Sequence, residues 1–138
     1  MTALTVPSSK EHVDGVLAAA RRGTRPVFDG VADDATNMPY GVLYDLSGGA
    51  FDGPNDDPDR NVDVEFPYQI TIVGETAEQV RAMADAVRSS LADGIDVAGR
   101  VVVRNVPDGG LGQLQRDDVA GLPVFYLTPR WRLFSTPA

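Results

Sequence analysis

"VDVEFPYQITIVGETAEQVRAMADAVRSSL", residues 62–91, changes its apolar period half-way along. In the first half Val62, Val64, Phe66, Tyr68, Ile70 and Ile72 alternate with Asp63, Glu65, Pro67, Gln69 and Thr71. A period of two sustained that long marks a strand with one face on a core. Pro67 has no N–H to give a ladder, so it predicts an edge or a bulge at that point. In the second half Val80, Met83, Ala84, Val87 and Leu91 recur at helical spacing, with Glu78, Arg81, Asp85 and Arg88 on the opposite side. Thr76-x-x-Gln79 reads as a capping box, and Gly94 as the stop. The spacing predicts a helix over 77–92.

Toward the N-terminus, Ser8-x-x-Glu11 reads as another capping box, and Val13, Val16, Leu17 and Ala20 follow at helical spacing. Gly23 closes that helix, with Arg21 and Arg22 suited to the negative end of its dipole. This predicts a helix over 9–22, preceded by a flexible arm, 1–7. Arg25–Phe28 is a short strand candidate, 29–39 a loop, and Tyr40–Leu46 a strand ended by Ser47-Gly48-Gly49. Beyond the second helix, Val101–Val106 reads as a strand and Pro107-Asp108-Gly109-Gly110 as a turn. A short strand near 111–116 would complete a hairpin with it. One long strand then runs from Leu122 to Phe134, with Phe125, Leu127, Trp131 and Leu133 on one face and Tyr126, Thr128, Arg130 and Arg132 on the other. Strand runs interrupted by two helices predict a single α+β domain over 1–138, a mainly antiparallel sheet packed with two helices.

The chain is acidic, with a formal net charge of −8, and it has no cysteine. Disulfide and thiolate chemistry are excluded, and duplex binding by phosphate neutralisation is disfavoured. The opening MTALTVPSSKEH lacks a basic segment followed by an apolar run, so no signal peptide is expected. No apolar run is long enough to span a bilayer. The acids concentrate in a loop at 50–61 and just beyond it: Asp52, Asp56, Asp57, Asp59, Asp63 and Glu65 stand against Arg60 alone. The chain from Leu122 onward carries Arg130 and Arg132 and no acid. Opposite charge at two places suits a subunit that meets copies of itself.

The acid-rich loop does not keep the spacing of a helix-loop-helix calcium site and joins two predicted strands, which leaves only a looser cation site. Its prolines, glycine and crowded like charges keep it wet, which argues against a catalytic carboxylate pair. His12 is the only histidine, and its place in the first turn of a helix predicts an exposed surface residue. No second histidine or cysteine is present to complete a triad or a zinc site. Gly48-Gly49 and Gly109-Gly110 open no helix and read as turn glycines. Trp131 between Arg130 and Arg132 has two readings, a core residue on a strand or a contact anchor. The expectation is a structural or binding subunit with no catalytic residues, no metal and no cofactor.

The segment "YGVLYDLSGGAFDGPNDDPDRNVDVEFPYQITIVGETAEQVRAMADAVRSSL", residues 40–91, resembles the tail terminator proteins of long, non-contractile-tailed bacteriophages. The shared layout is a helix, a Tyr-rich strand, a Gly/Pro/Asp loop, a strand ending like YQITIVG, a helix opening like TAEQ, and a closing strand. It covers roughly 9–134. The resemblance implies an α+β subunit that assembles into a hexameric ring at the tail neck of the virion, built in the host cytoplasm. Such a ring caps the tail tube, ends its polymerisation and presents the docking surface for the head-side connector or stopper. DNA would pass through the lumen without specific binding, and neither membrane nor reaction would be involved. Asp52, Asp56, Asp57 and Asp59 are then candidates for the lumen or a tube contact, and Arg130, Trp131 and Arg132 for an interface. The alternatives are another head–tail neck component, such as a head-closure protein, and a small soluble cation-binding domain.

Overall fold

The computed structural model describes residues 9–22, 25–32, 37–46, 63–110, 112–119 and 121–138. In chain order these form α1 (Ser9–Arg21), β1 (Val27–Asp29), β2 (Tyr40–Asp45), β3 (Val64–Gly74), α2 (Ala77–Ala92), β4 (Arg100–Pro107), β5 (Gln115–Val119), β6 (Leu122–Leu127) and β7 (Arg130–Pro137). The fold is α+β: the seven strands make one sheet, antiparallel except where β1 pairs with β2. The predicted arm at 1–7, the Ser8 and Gly23 caps and the acidic loop at 50–61 lie outside the described residues.

β3 is the spine of the sheet. It pairs with β2 on one side and with β7 and then β6 on the other. Its burial alternates along its whole length, as the sequence period requires. Pro67 is tolerated in this central position because β2 ends at Asp45, opposite Tyr68. The Pro67 carbonyl accepts from Leu46 N at 3.0 Å, and its donorless nitrogen faces the side where β2 runs out. Pro67 therefore marks a local edge, one of the two readings its presence predicted.

The long C-terminal strand is interrupted at Thr128-Pro129, where proline has no donor for the ladder. Its two halves nevertheless keep one register along β3: Ile72 lies opposite Leu127 and Gln69 opposite Arg130. Ile70 N donates to Pro129 O across the break at 3.1 Å. The expected hairpin between Val101–Val106 and 111–116 does not form. β5 instead pairs with β6, and β4 with β7, so β4 and β5 lie end to end along the same neighbouring strand. The glycine turn after Pro107 redirects the chain past the end of β4 rather than folding it back onto that strand.

Both helices lie on one face of the sheet. Val13, Val16 and Leu17 of α1 and Val80, Met83, Val87 and Leu91 of α2 share a single core with β3 and with Leu127, Trp131 and Leu133. The Thr76 hydroxyl caps α2 by accepting from Gln79 N at 3.1 Å. The reciprocal bond of the box lands one residue further back, from Glu75 N to the Gln79 side chain at 2.9 Å. Ser90 Oγ donates to the Ala19 carbonyl at 2.7 Å and ties the two helices together inside the core. The last turn of α1 is closed from outside by Arg25, which donates to the Ala20 carbonyl at 3.0 Å, and Arg21 ties the helix end to β1 by donating to the Val27 carbonyl at 2.7 Å.

His12 corrects the sequence reading. It is 0% exposed rather than on the surface. Its ring heads a row of rings through the core: His12 on Phe66 at 5.5 Å, Phe66 on Tyr68 at 5.6 Å, and Tyr68 on Trp131 at 5.5 Å. His12 Nε2 lies 2.8 Å from Ser135 Oγ, which also accepts from Arg100 Nε at 3.2 Å. With Ser135 accepting from Arg100, its own hydrogen is available to the imidazole, so the buried polar groups satisfy one another. The physical reason is position, because His12 precedes Val16 by one helical turn and shares its inward face.

Tyr68 gives a test of the packed row. Burial pushes its phenol far above the ordinary tyrosine range, against the partial opposition of its 2.8 Å hydrogen bond to Asn105. In the unfolded chain a tyrosine ionises near pH ~10. The folded protein keeps the Tyr68 proton above that pH while the unfolded chain releases it, so this contribution is whole below pH ~10 and falls as pH rises. A Tyr68→Phe variant should therefore lose stability less steeply than the parent in alkaline solution. Phenolate absorbance should show the same titration for both native proteins, and one more equivalent in the unfolded parent than in the unfolded variant. An extra native equivalent in the parent would contradict the burial.

Candidate assembly surface

The sheet's second face has no helix over it among the described residues. Alternation on β3 and β7 places Glu65, Gln69 and Thr71 there beside Arg130, Arg132, Phe134 and Thr136. The predicted interface residues therefore separate. Arg130 and Arg132 are exposed on this open face, whereas Trp131 points the other way into the core and is 3% exposed. The structure selects the core reading of Trp131. Asp52, Asp56, Asp57 and Asp59 lie outside the described residues.

The arginines are held in a lattice of neighbours across the strands. Arg130 donates to the Gln69 side chain at 3.0 Å, and Gln69 donates to Thr71 Oγ1 at 2.8 Å. Arg132 pairs with Glu65 at 3.1 Å and lies 3.9 Å from Asp108. These pairs are about half exposed, so their chief effect is to fix side-chain position rather than to stabilise the fold.

At one end of this face lies an open pocket of about 440 Å³. Phe134 and Val103 supply apolar lining, with Asp63, Glu65, Arg104 and Thr136 around them. The Arg104 guanidinium sits over the Phe134 ring at 4.4 Å. Val103 is placed here by a bulge in β4, where the register shifts between Val102 and Arg104. β4 pairs with β7 alone, and Val101 and Val103 on it are 52% and 60% exposed. Close behind the pocket, burial pulls the Arg100 guanidinium down from its ordinary range, opposed by the Asp63 and Glu11 carboxylates.

At the other end β5 and β6 project as a two-stranded ribbon. β3 reaches β6 only as far as Gly74 opposite Phe125, so Leu122, Pro123 and Val124 pair with β5 alone. The connection is two residues long and carries Gly121 at φ 80°, a conformation tight hairpin turns demand and glycine adopts without strain. Leu122 at the tip is 69% exposed. Arg116 and Asp118 pair with each other at 3.2 Å.

Among the described residues no group of three or more His, Asp or Glu converges to hold a metal ion. His12 and Ser135 stand at hydrogen-bond distance, but both are closed off from solvent, so the pair serves as a strut between α1 and β7. No described helix is long and apolar enough to cross a membrane. Sequence reasoning missed Arg104, Phe134 and Leu122. The available signals were the unbroken apolar run Val101–Val103 and the apolar residue directly after Gly121.

No family model matches the chain, and no curated protein matches it. Among solved structures, a chain of the virion of a native gene transfer agent particle is similar over 93% of this chain and 90% of its own, at 16% identity and a TM-score of 0.49.

Proposed function

We propose that the chain is a structural virion protein whose copies close into a ring, hexameric as in the tail terminators its sequence resembles. The ring caps the tail tube, ends its polymerisation and offers the surface on which the head-side connector or stopper docks. It is assembled in the host cytoplasm and remains at the tail neck. DNA passes through its lumen without specific binding, since an acidic wall repels the phosphate backbone. The protein binds no cofactor and catalyses no reaction.

The observation that carries this reading is the one-sided packing of the sheet. Two helices cover one face, while the other presents ordered arginines, an open pocket of mixed apolar and charged lining and a projecting ribbon. Exposed apolar side chains at a pocket and a ribbon tip suit a subunit surface better than a solitary domain. A ring also needs two unlike patches that meet head to tail, and the two ends of this face are unlike.

The test is negative-stain imaging of tail tubes mixed with the purified protein. A ring seated at one end of the tubes, together with arrest of further tube growth, is the expected result. Replacing Asp56, Asp57 and Asp59 with Asn should impair head joining or DNA passage while leaving the circular dichroism spectrum unchanged. A protein that leaves tube ends bare and tube growth unaltered would refute the reading.

A further inference from the structure

We infer that the β5–β6 ribbon of one copy seats its tip in the Phe134 pocket of the next, which makes these two features the two halves of a head-to-tail interface. The inference rests on the ring reading for its closure, and the contact itself follows from the geometry.

Leu122 lies on β6 and Phe134 on β7, two strands in line whose alternation puts both residues on the open face of the sheet. They are separated by roughly 40 Å along the strand at about 3.3 Å per residue. One chain therefore cannot fill its own pocket with its own tip. A knob at one end and a hole at the other, on the same face, can be satisfied only between copies. That arrangement is heterologous, the kind that generates rings or filaments.

The two ends also match chemically. The ribbon shows Leu122 and half-buried Val124 on this face, and the pocket offers Val103 and Phe134. Asp117 lies opposite Val124 and so shares the face, whereas the Arg116–Asp118 pair lies on the other. Neither Asp117 nor Arg104 has an ion-pair partner among the described residues. Seating Leu122 on Phe134 would bring this carboxylate toward the guanidinium that overlies the ring. The rungs from Leu122 to Val124 lie beyond β3 and hold to β5 alone, which leaves the tip the part of the ribbon free to pack against a neighbour.

The chain has no cysteine, so disulfide trapping reports introduced pairs alone. Leu122→Cys and Thr136→Cys are made singly and together, then oxidised at high concentration with and without tail tubes. Mixed single variants should give a linked dimer that neither gives alone, and the double variant a ladder of linked multimers. Adding Asp117→Arg should cut the trapped fraction roughly fivefold, and Arg104→Asp in the partner should restore it.

Homodimers of the Leu122→Cys variant alone, or no linked species where the parent forms rings, would overturn the assignment and leave the ring reading standing. Linked multimers from a protein that ignores tube ends would uphold the contact and remove the tube-capping role. Residues 50–61 of the same chain are the rival occupant, since that segment leads into Asp63 at the pocket. Trapping that appears only after 50–61 is replaced by a Gly-Ser linker of equal length would assign the pocket to that segment and overturn the proposal.

Discussion

Replacing Trp131 with alanine is expected to lower the unfolding free energy by about 3–5 kcal/mol. The indole is the last of the row of core rings, stacked on Tyr68 at 5.5 Å and 17°, and is 3% exposed. Truncation removes its buried surface and leaves a void beside Tyr68 and Leu133 that rigid β-strands cannot close. Domains of this size are stable by roughly 5–15 kcal/mol, so the loss is a large share of the total. Urea unfolding followed by far-ultraviolet circular dichroism measures it, because the variant lacks the chain's one tryptophan. The neighbours supply the contrast. Arg130→Ala and Arg132→Ala remove exposed side chains and should each cost at most about 1 kcal/mol. Equal losses at all three positions would mean that Trp131 does not anchor the core.

The second large effect comes from a residue with no side chain. Gly15 is buried in the middle of α1, where glycine costs helix stability by roughly 1 kcal/mol relative to alanine. It is there because a Cβ would run into the Asp96 carbonyl and press on Val97. The loop after α2 crosses α1 at this point, and the close approach lets Ile95 and Val97 enter the core. Gly15→Val is expected to cost at least about 3 kcal/mol, at the upper end of overpacking penalties, because the obstruction is backbone and cannot turn aside. Ala18→Val, on the exposed side of the same helix, carries the β-branching cost alone and should stay within about 1 kcal/mol. If both variants melt alike in urea, the close approach is not what fixes Gly15.

Where local chemistry decided the outcome, the sequence was readable. β3 and α2 each carry their own period, and Thr76, Gln79 and Gly94 mark the ends of α2. Trp131 shares a face with Leu127 and Leu133, yet its flanking arginines left a contact reading open as well, and its 3% exposure decides for the core. What escaped were partners distant in sequence. The glycines after Pro107 and the glycine before Leu122 signal turns equally well, yet only the second folds a strand back on its neighbour. Nothing local says that β5 pairs with β6 rather than β4. His12 escaped because a lone histidine in a first turn reads as polar surface. Its burial depends on Ser135, more than a hundred residues away, arriving to satisfy the ring. At the open face, the arginines were legible as charge, but the pocket beside them depends on a bulge in β4, which no spacing announces.

The unbroken register of β6 and β7 along β3 also sets how the subunit bears force. A load pulling along that strand pair acts in shear, so many cross-strand bonds resist together and Pro129 does not interrupt the load path. A load lifting the ribbon from its tip acts by peeling, and the few rungs that hold β6 to β3 give way one after another from Phe125 inward. The same piece of backbone is therefore stiff as a tie rod in one direction and yields like a zipper in the other.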